Sequence, residues 1–308
     1  MALKTVIRRP DGKLILNPLK DAVRDFTLEM LQPGVPTNQI ALAAGARSAP
    51  VIITIPSWMH FEALGLTGWA VDTATGLVDR SRFVTMRVEA ASRWNPLWDD
   101  EHVMANIVGD AQRPFIFPHS CLWLASQTIQ VTFRNLDVAG VTISVGFPGR
   151  AIVLNRANPA DISTLVQGVR DEYSGLALLT TRGGMPTLAA ATANQFTYVD
   201  IPSARHFELH KRNAVIQRTA VGQVVGSTQV SFRDQDGYEY TNNYPTPVDD
   251  VQVFGTAQFP NILFEPTLLR RGTFLEMKFN NIPALTNLVA VSLVGRSVGV
   301  AYEQEQLS

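Results

Sequence analysis

The sequence is poor in the features that mark covalent or ligand chemistry. It has one cysteine, Cys121, so no internal disulfide can form, and a disulfide-stapled secreted module is excluded. There is no glycine-rich phosphate loop, no nucleophile elbow and no zinc-type pairing of Cys or His, so neither an enzyme nor a cofactor is expected. No apolar run approaches the roughly twenty residues of a membrane helix, so no membrane partner is expected. Met1 to Pro10 carries Lys4, Arg8 and Arg9 without an apolar stretch behind them, which predicts no signal peptide and folding in a cytoplasm. The formal net charge is -1, which gives no electrostatic pointer to nucleic acid or to an anionic surface. Lysine is scarce, at Lys4, Lys13, Lys20, Lys211 and Lys278. Either planar arginine contacts across interfaces or a base-composition bias explains the preference for Arg.

What the chain does have is a repeat. Ile55 to Glu62 reads Ile-Pro-Ser-Trp-Met-His-Phe-Glu and Ile201 to Glu208 reads Ile-Pro-Ser-Ala-Arg-His-Phe-Glu, six identities in eight at an offset of 201 − 55 = 146. The same offset puts Val23, Arg24 and Asp25 on Val169, Arg170 and Asp171, and Gly109, Ala111, Gln112 and Pro114 on Gly255, Ala257, Gln258 and Pro260. It also puts Phe133 and Asn135 on Phe279 and Asn281, and Gly149-Arg150 on Gly295-Arg296. Clustered matches at one offset read as a tandem duplication, and a unit of about 150 residues can bury its own core.

In chain order, Val6-Ile7 and Leu14 to Leu16 are short strands around an Asp11-Gly12 turn. Asn17 as N-cap and Pro18 as first residue, with Leu19, Ala22, Val23, Phe26 and Met30 following at helical spacing, predict a helix that stops at Pro33-Gly34. A second helix is predicted from Asp161 through Ile162, Leu165, Val169 and Tyr173, ending before Gly183-Gly184. The rest of each unit alternates as strands do, with Ile129, Val131 and Phe133 matched by Leu275, Met277 and Phe279. Further strands are predicted at 51–55, 82–88 and 106–108, with partners at 196–201, 228–232 and 251–254. Asn135 and Asn281 mark turns in which an Asn tolerates positive φ. The expected fold is mainly β: two tandem antiparallel β-sandwich or jelly-roll-like domains, each preceded by a short helix. The expected divisions are an N-terminal arm and helix over 1–45, a first sandwich over 46–155, a linker and helix over 156–195, and a second sandwich over 196–308.

Several residue groups were weighed as sites. His206, Glu208 and His210 alternate and would share one strand face as metal ligands, but the first copy has Leu64 at the third position and no fourth ligand stands out, so a solvated polar face is preferred. Asp234, Asp236, Gly237 and Glu239 resemble part of a calcium loop without its closing acid, and a hairpin turn is preferred. Arg270-Arg271 reads as a solvated turn. All five tryptophans, Trp58, Trp69, Trp94, Trp98 and Trp123, lie in the first unit. Trp123 reads as core. Trp94 and Trp98 flank Asn95-Pro96 in a predicted loop rich in acidic residues and read as interface anchors, together with Tyr238, Tyr240, Tyr244 and Phe26. Cofactor, catalytic and metal residues: none expected.

The paired segments Phe115 to Pro118 and Phe259-Pro260, followed by Ile129 to Asn135 and Leu275 to Asn281 and ending in Gly149-Arg150 and Gly295-Arg296, resemble structural proteins of bacteriophage particles built from two tandem β-sandwiches. That class includes double-jelly-roll capsid proteins and neck or vertex proteins. The resemblance covers the architecture of nearly the whole chain. It implies a non-enzymatic virion component that meets copies of itself and other virion proteins and assembles into a symmetric shell or ring, as a capsid, decoration or neck/vertex protein. It also implies an N-terminal segment that braces neighbours. A trimer would present six similar units. The alternative is a two-module carbohydrate-binding protein that uses the Trp94–Trp98 loop.

Overall fold

The computed structural model describes residues 6–8, 14–16, 23–29, 39–90, 97–98, 100–156, 163, 175–182, 185–203, 205–218, 222–223, 228–237, 239–240, 248–282 and 286–298. Strands β1 (Val6–Arg8) and β2 (Leu14–Leu16) form the hairpin that the Asp-Gly signal predicts. The first sandwich follows: β3 (Val23–Glu29), β4 (Ile40–Leu42), β5 (Val51–Thr54), β6 (Met59–Asp72), β7 (Val84–Ala90), β8 (Leu97–Trp98), β9 (His102–Val103), the one-turn helix α1 (Met104–Ile107), β10 (Phe115–Trp123), β11 (Thr128–Asn135) and β12 (Val141–Val153). The second contains β13 (Gly175–Thr180), β14 (Thr187–Leu188), β15 (Gln195–Asp200), β16 (His206–Arg218), β17 (Gly222–Gln223), β18 (Thr228–Asp234), β19 (Val248–Asp249), the one-turn helix α2 (Asp250–Val253), β20 (Asn261–Leu269), β21 (Phe274–Asn281) and β22 (Asn287–Val298).

Each sandwich is a jelly roll. In the first, one sheet runs β10-β6-β12-β3, with β4 also on β12, and the facing sheet runs β5-β11-β7-β9. The chain crosses from one sheet to the other at β5, β6, β7, β10, β11 and β12, which is the strand exchange that defines the roll. In the second, β20 and β17 lie on β16, followed by β22 and β13, and the facing sheet runs β15-β21-β18-β19. Alternation fills the space between sheets. In β11, Ile129, Val131 and Phe133 are fully buried, and in β21 the matching Leu275, Met277 and Phe279 are buried too. Trp123 is core, stacked on Phe61 at 5.9 Å between ring centres and edge-on to Phe147 at 5.1 Å.

The two sandwiches match element for element at the offset read from the sequence: β10 with β20, β11 with β21, α1 with α2 and β12 with β22. The first strand departs from it. Leu28 of β3 lies opposite Phe147, whereas Leu179 of β13 lies opposite Leu293, so here the offset is 179 − 28 = 151, and 169–171 lie outside the described residues.

Three local predictions are overturned. The helix expected over 17–30 is strand at Val23–Glu29, because seven backbone positions pair with β12 and only Leu28 is fully buried, so ladder pairing overrides an ambiguous apolar spacing. Of the second predicted helix, Ser163 is helical, the rest lies outside the described residues, and Gly175 onward is strand. The strands expected at 106–108 and 251–254 are single helical turns, closed by Val108 N–H to Met104 O at 2.7 Å and Phe254 N–H to Asp250 O at 2.9 Å. That turn carries Met104 and Ile107 together into the core, which an extended chain of the same length does not. Asn135 and Asn281 do end strands, but neither has positive φ. Both are buried, and their amides hold backbone: Asn135 donates to Ala43 O and Ala139 O, Asn281 to Leu188 O and Ala189 O. No helix among the described residues is long and apolar enough to cross a membrane.

Candidate functional site

The repeated His-Phe-Glu and Gly-Arg pairs meet in space, once in each sandwich. Phe61 and Phe207 are buried at the start of β6 and β16, and each ring lies over a glycine of the adjacent strand. A Cβ on Gly149 would sit 2.1 Å from Glu62 O and 2.8 Å from the Phe61 ring. On Gly295 it would sit 2.0 Å from Glu208 O and 2.9 Å from the Phe207 ring. Only glycine permits that approach. The histidines are brackets: Ala125 N–H donates to His60 Nδ1 at 2.9 Å, and Arg271 N–H donates to His206 Nδ1 at 3.2 Å, each tying the turn that follows an edge strand to the strand beside it. Burial lowers the His60 pKa from its ordinary value, consistent with a neutral ring that accepts at Nδ1. The acids pair with arginine, Arg150 with Glu62 at 3.8 Å and Arg296 with Glu208 at 2.7 Å.

His206, Glu208 and His210 therefore have structural engagements. His210 Nε2 is 2.7 Å from one Glu208 oxygen, and Arg296 occupies the other. No group of three metal-ligating side chains occurs among the described residues. Asp234 to Gly237 form the expected hairpin turn, with Gly237 at φ 85° and its N–H on Asp234 O. Arg270 is exposed, 3.5 Å from Asp236. Buried Cys121 has its thiol pKa pushed up by loss of water.

The most developed polar contact lies at the seam between the sandwiches. The first sandwich presents β9, α1 and β10, and the second presents the outer face of its sheet, β16, β22 and β13. His102, Asn106, Asn213 and Ser292 are buried there. Asn106 Nδ2 donates to Ala290 O at 2.9 Å and to Ser292 Oγ at 3.3 Å, His102 Nδ1 is 3.0 Å from Ser292 Oγ, and Asn213 Nδ2 donates to Asn106 O at 2.7 Å. Ala257 N–H donates to Ala105 O at 3.0 Å. Lys211 is buried, donates to Ile116 O and lies 4.9 Å from the Phe115 ring centre, and desolvation lowers its pKa to about 8. At the margin Gln258 donates to Asp110, and the Arg113 guanidinium lies 4.5 Å from the Phe259 ring centre. Leu178 and Val294 of the second sandwich join the first sandwich's core cluster. The seam is buried and hydrogen-bonded, with Asn106 Oδ1 and Asn213 Oδ1 left without a hydrogen-bond partner in it.

Of the residues expected to anchor interfaces, Phe26 is half-buried in β3, edge-on to Trp58 and Phe61 at 6.3 and 6.0 Å. Tyr240 packs against the second core, with its hydroxyl on Asp234 at 3.1 Å. The backbone at Leu97–Trp98 pairs in parallel with Ala177 and Leu178, adding β8 to the second sandwich's sheet within the same chain. Trp94, Tyr238 and Tyr244 lie outside the described residues. The described ones fall at β3, β8 and the turn after β18. Sequence reasoning missed the seam residues, because they sit at positions where the two units differ: His102 against Val248, Asn106 against Gln252, Thr67 against Asn213 and Gly146 against Ser292.

No family model and no curated protein matches the chain. Among solved structures it is similar to the atomic structure of Sulfolobus Turreted Icosahedral Virus, with a TM-score of 0.42 and 11% identity, covering 92% of this chain and 93% of that one. It is similar to the major capsid protein P2 from Bacteriophage PM2, with a TM-score of 0.38 and 12% identity over 88% of this chain and 97% of that one. It is also similar to PNGase F, a glycosylasparaginase from Flavobacterium meningosepticum, with a TM-score of 0.38 and 10% identity over 89% and 96%.

Proposed function

We propose that the chain is a non-enzymatic building block of a virus particle, a bacteriophage first, whose copies join through the same contact that joins its two sandwiches. The two units derive from a duplication, and the chain divides between Val153 and Gly175. One observation carries this reading: the seam is heterologous, and only half of it is used within the chain. The docking element of the first sandwich, α1 to β10, is seated on the second sandwich's outer sheet face. The equivalent docking element of the second, α2 to β20, touches the first sandwich only at its loop, through Ala257, Gln258 and Phe259 among the described residues, and leaves Ile262 and Phe264 of β20 exposed. The equivalent receiving face of the first sandwich, with Thr67, Trp69 and Ser144 where the second has Asn213, Val215 and Ala290, leaves Trp69 39% exposed. An exposed apolar edge strand is a surface that folded proteins cover or blunt. A head-to-tail contact repeated at a fixed rotation closes into a ring when the rotation divides a full turn, and otherwise runs on as a filament. Self-association makes copies of the chain its first partners and a virion its place of residence.

Sedimentation velocity and negative-stain electron microscopy of the full chain test this. Wild-type protein is expected to form closed rings, and Ile262→Glu with Phe264→Glu is expected to leave monomers of unchanged far-UV circular dichroism. Wild-type protein that stays monomeric at high concentration would sink the reading.

A further inference from the structure

The second sandwich contains a binding cavity that the first has filled in. Between β16, β18, β20 and the start of β21 lies an open space of about 560 Å³, within the range of small-molecule sites. Its existence follows from substitutions at equivalent positions. Where the first sandwich has Leu66, Phe115, Phe117 and Trp123, the second has Arg212, Asn261, Leu263 and Leu269. The pairing is conserved while the filling is not, since Leu66 lies opposite Phe115 in one ladder and Arg212 opposite Asn261 in the other.

Arg212 is the unusual member. It replaces a fully buried leucine, and desolvation lowers its pKa. Among the described residues its partners are neutral: Asn261 Oδ1, at 3.3 Å from Nε and 3.2 Å from Nη2, and the Phe232 ring, 5.7 Å from the guanidinium carbon to the ring centre. A half-buried guanidinium, with five donors in a planar fork, matches a carboxylate. The remaining walls also carry Asp234, Asp236 and Glu239, with Arg270 at Asp236, while Leu209, Leu263 and Leu269 supply an apolar side. Carboxylates repel a multiply charged anion and offer nothing to a fatty-acid tail. They do accept hydrogen bonds from hydroxyls, and half-buried Tyr240 gives ring surface for C–H groups.

We propose that this cavity binds a carboxylated sugar, a hexuronic or related sugar acid, with its carboxylate on Arg212, its hydroxyls donating to Asp234 and Glu239, and its apolar face on the side of Tyr240 and Leu263. The proposal does not depend on the assembly reading, because the cavity lies inside one sandwich.

Isothermal calorimetry with the full chain tests it, using methyl glucuronide, methyl glucoside and inorganic phosphate as probes. The glucuronide is expected to bind at least tenfold more tightly than the glucoside, and phosphate not to compete with it. Arg212→Leu, which restores the first sandwich's residue, is expected to abolish that preference without loss of folding, and Arg212→Gln gives the same reading if the leucine variant does not fold. Glu239→Gln is expected to weaken both sugars. Absence of glucuronide binding, equal binding of the two glycosides, competition by phosphate, or a preference that survives loss of the guanidinium would each overturn the proposal.

Discussion

The same edge strand has opposite fates in the two sandwiches. In the first, β10 is built of Phe115, Phe117, Cys121 and Trp123, all buried, and is sealed against the second sandwich. In the second, β20 carries Asn261, Leu263, Thr267 and Leu269; only Leu269 is fully buried, and Phe264 is completely exposed. The frames around these strands are alike down to the hydrogen bond, as the His60 and His206 brackets show. The difference teaches that filling follows covering. A strand under a neighbour takes aromatic bulk and closes the core, and a strand left open keeps polar residues and a cavity.

The largest test of the shared frame is at its glycines. Gly149→Ala and Gly295→Ala both drive a Cβ into a carbonyl, and each is expected to lose about 3 kcal/mol, near the upper end for overpacking. Tryptophan fluorescence, weighted to the first sandwich with Trp98 on the strand added to the second sheet, and far-UV circular dichroism, which reports both, are to be followed through urea unfolding. Unequal losses would break the equivalence. Trp123→Leu makes the first edge resemble the second and is expected to destabilise by about 2–3 kcal/mol through the cavity it leaves. Asn106→Ala removes donors from Ala290 O and Ser292 Oγ, and is expected to lower the stability of the seam by about 1–2 kcal/mol. Amide exchange should report that loss at 290–292 before it reports any loss at β21.

A smaller effect concerns pH. The Lys211 pKa is lowered from 10.5 to about 8 in the folded chain, so between these values the unfolded state holds the extra proton and stability rises with pH. Below about pH 8 both states are protonated, and the dependence from this residue vanishes. Lys211→Met should flatten the rise in denaturation midpoints measured between pH 8 and 10.5. The smallest expected change is Leu263→Phe, which copies Phe117 into a half-open position. It should alter stability by less than about 0.5 kcal/mol, and a large loss would show that the cavity walls are already close-packed.

The repeat was legible because its identities fall on residues whose job is fixed by backbone geometry. His60, Phe61, Gly149 and Arg150 make the same contacts in the first sandwich as His206, Phe207, Gly295 and Arg296 make in the second, so the same letters stand in both. The first strand was misread because Val23, Phe26 and Met30 fit a helical stripe as well as a ladder, and pairing with β12 decides between them. The one-turn helices were misread because four residues are too few to show a period. The seam was invisible for a different reason: its polar residues are the ones that break the repeat, and no single-chain pattern marks a change as contact and not drift. Arg212 was hidden likewise, since its meaning appears only when it is set against Leu66 across the ladder.

The seam has a kinetic consequence. Twenty-one residues, 154–174, connect β12 to β13, so the first head-to-tail contact forms within one molecule at an effective concentration of about millimolar. Every later contact of the same kind between chains would be second order. The join inside the chain would therefore form at any dilution, while joins between chains would wait for accumulation, giving a long-lived, dilution-resistant unit that associates further only above a threshold.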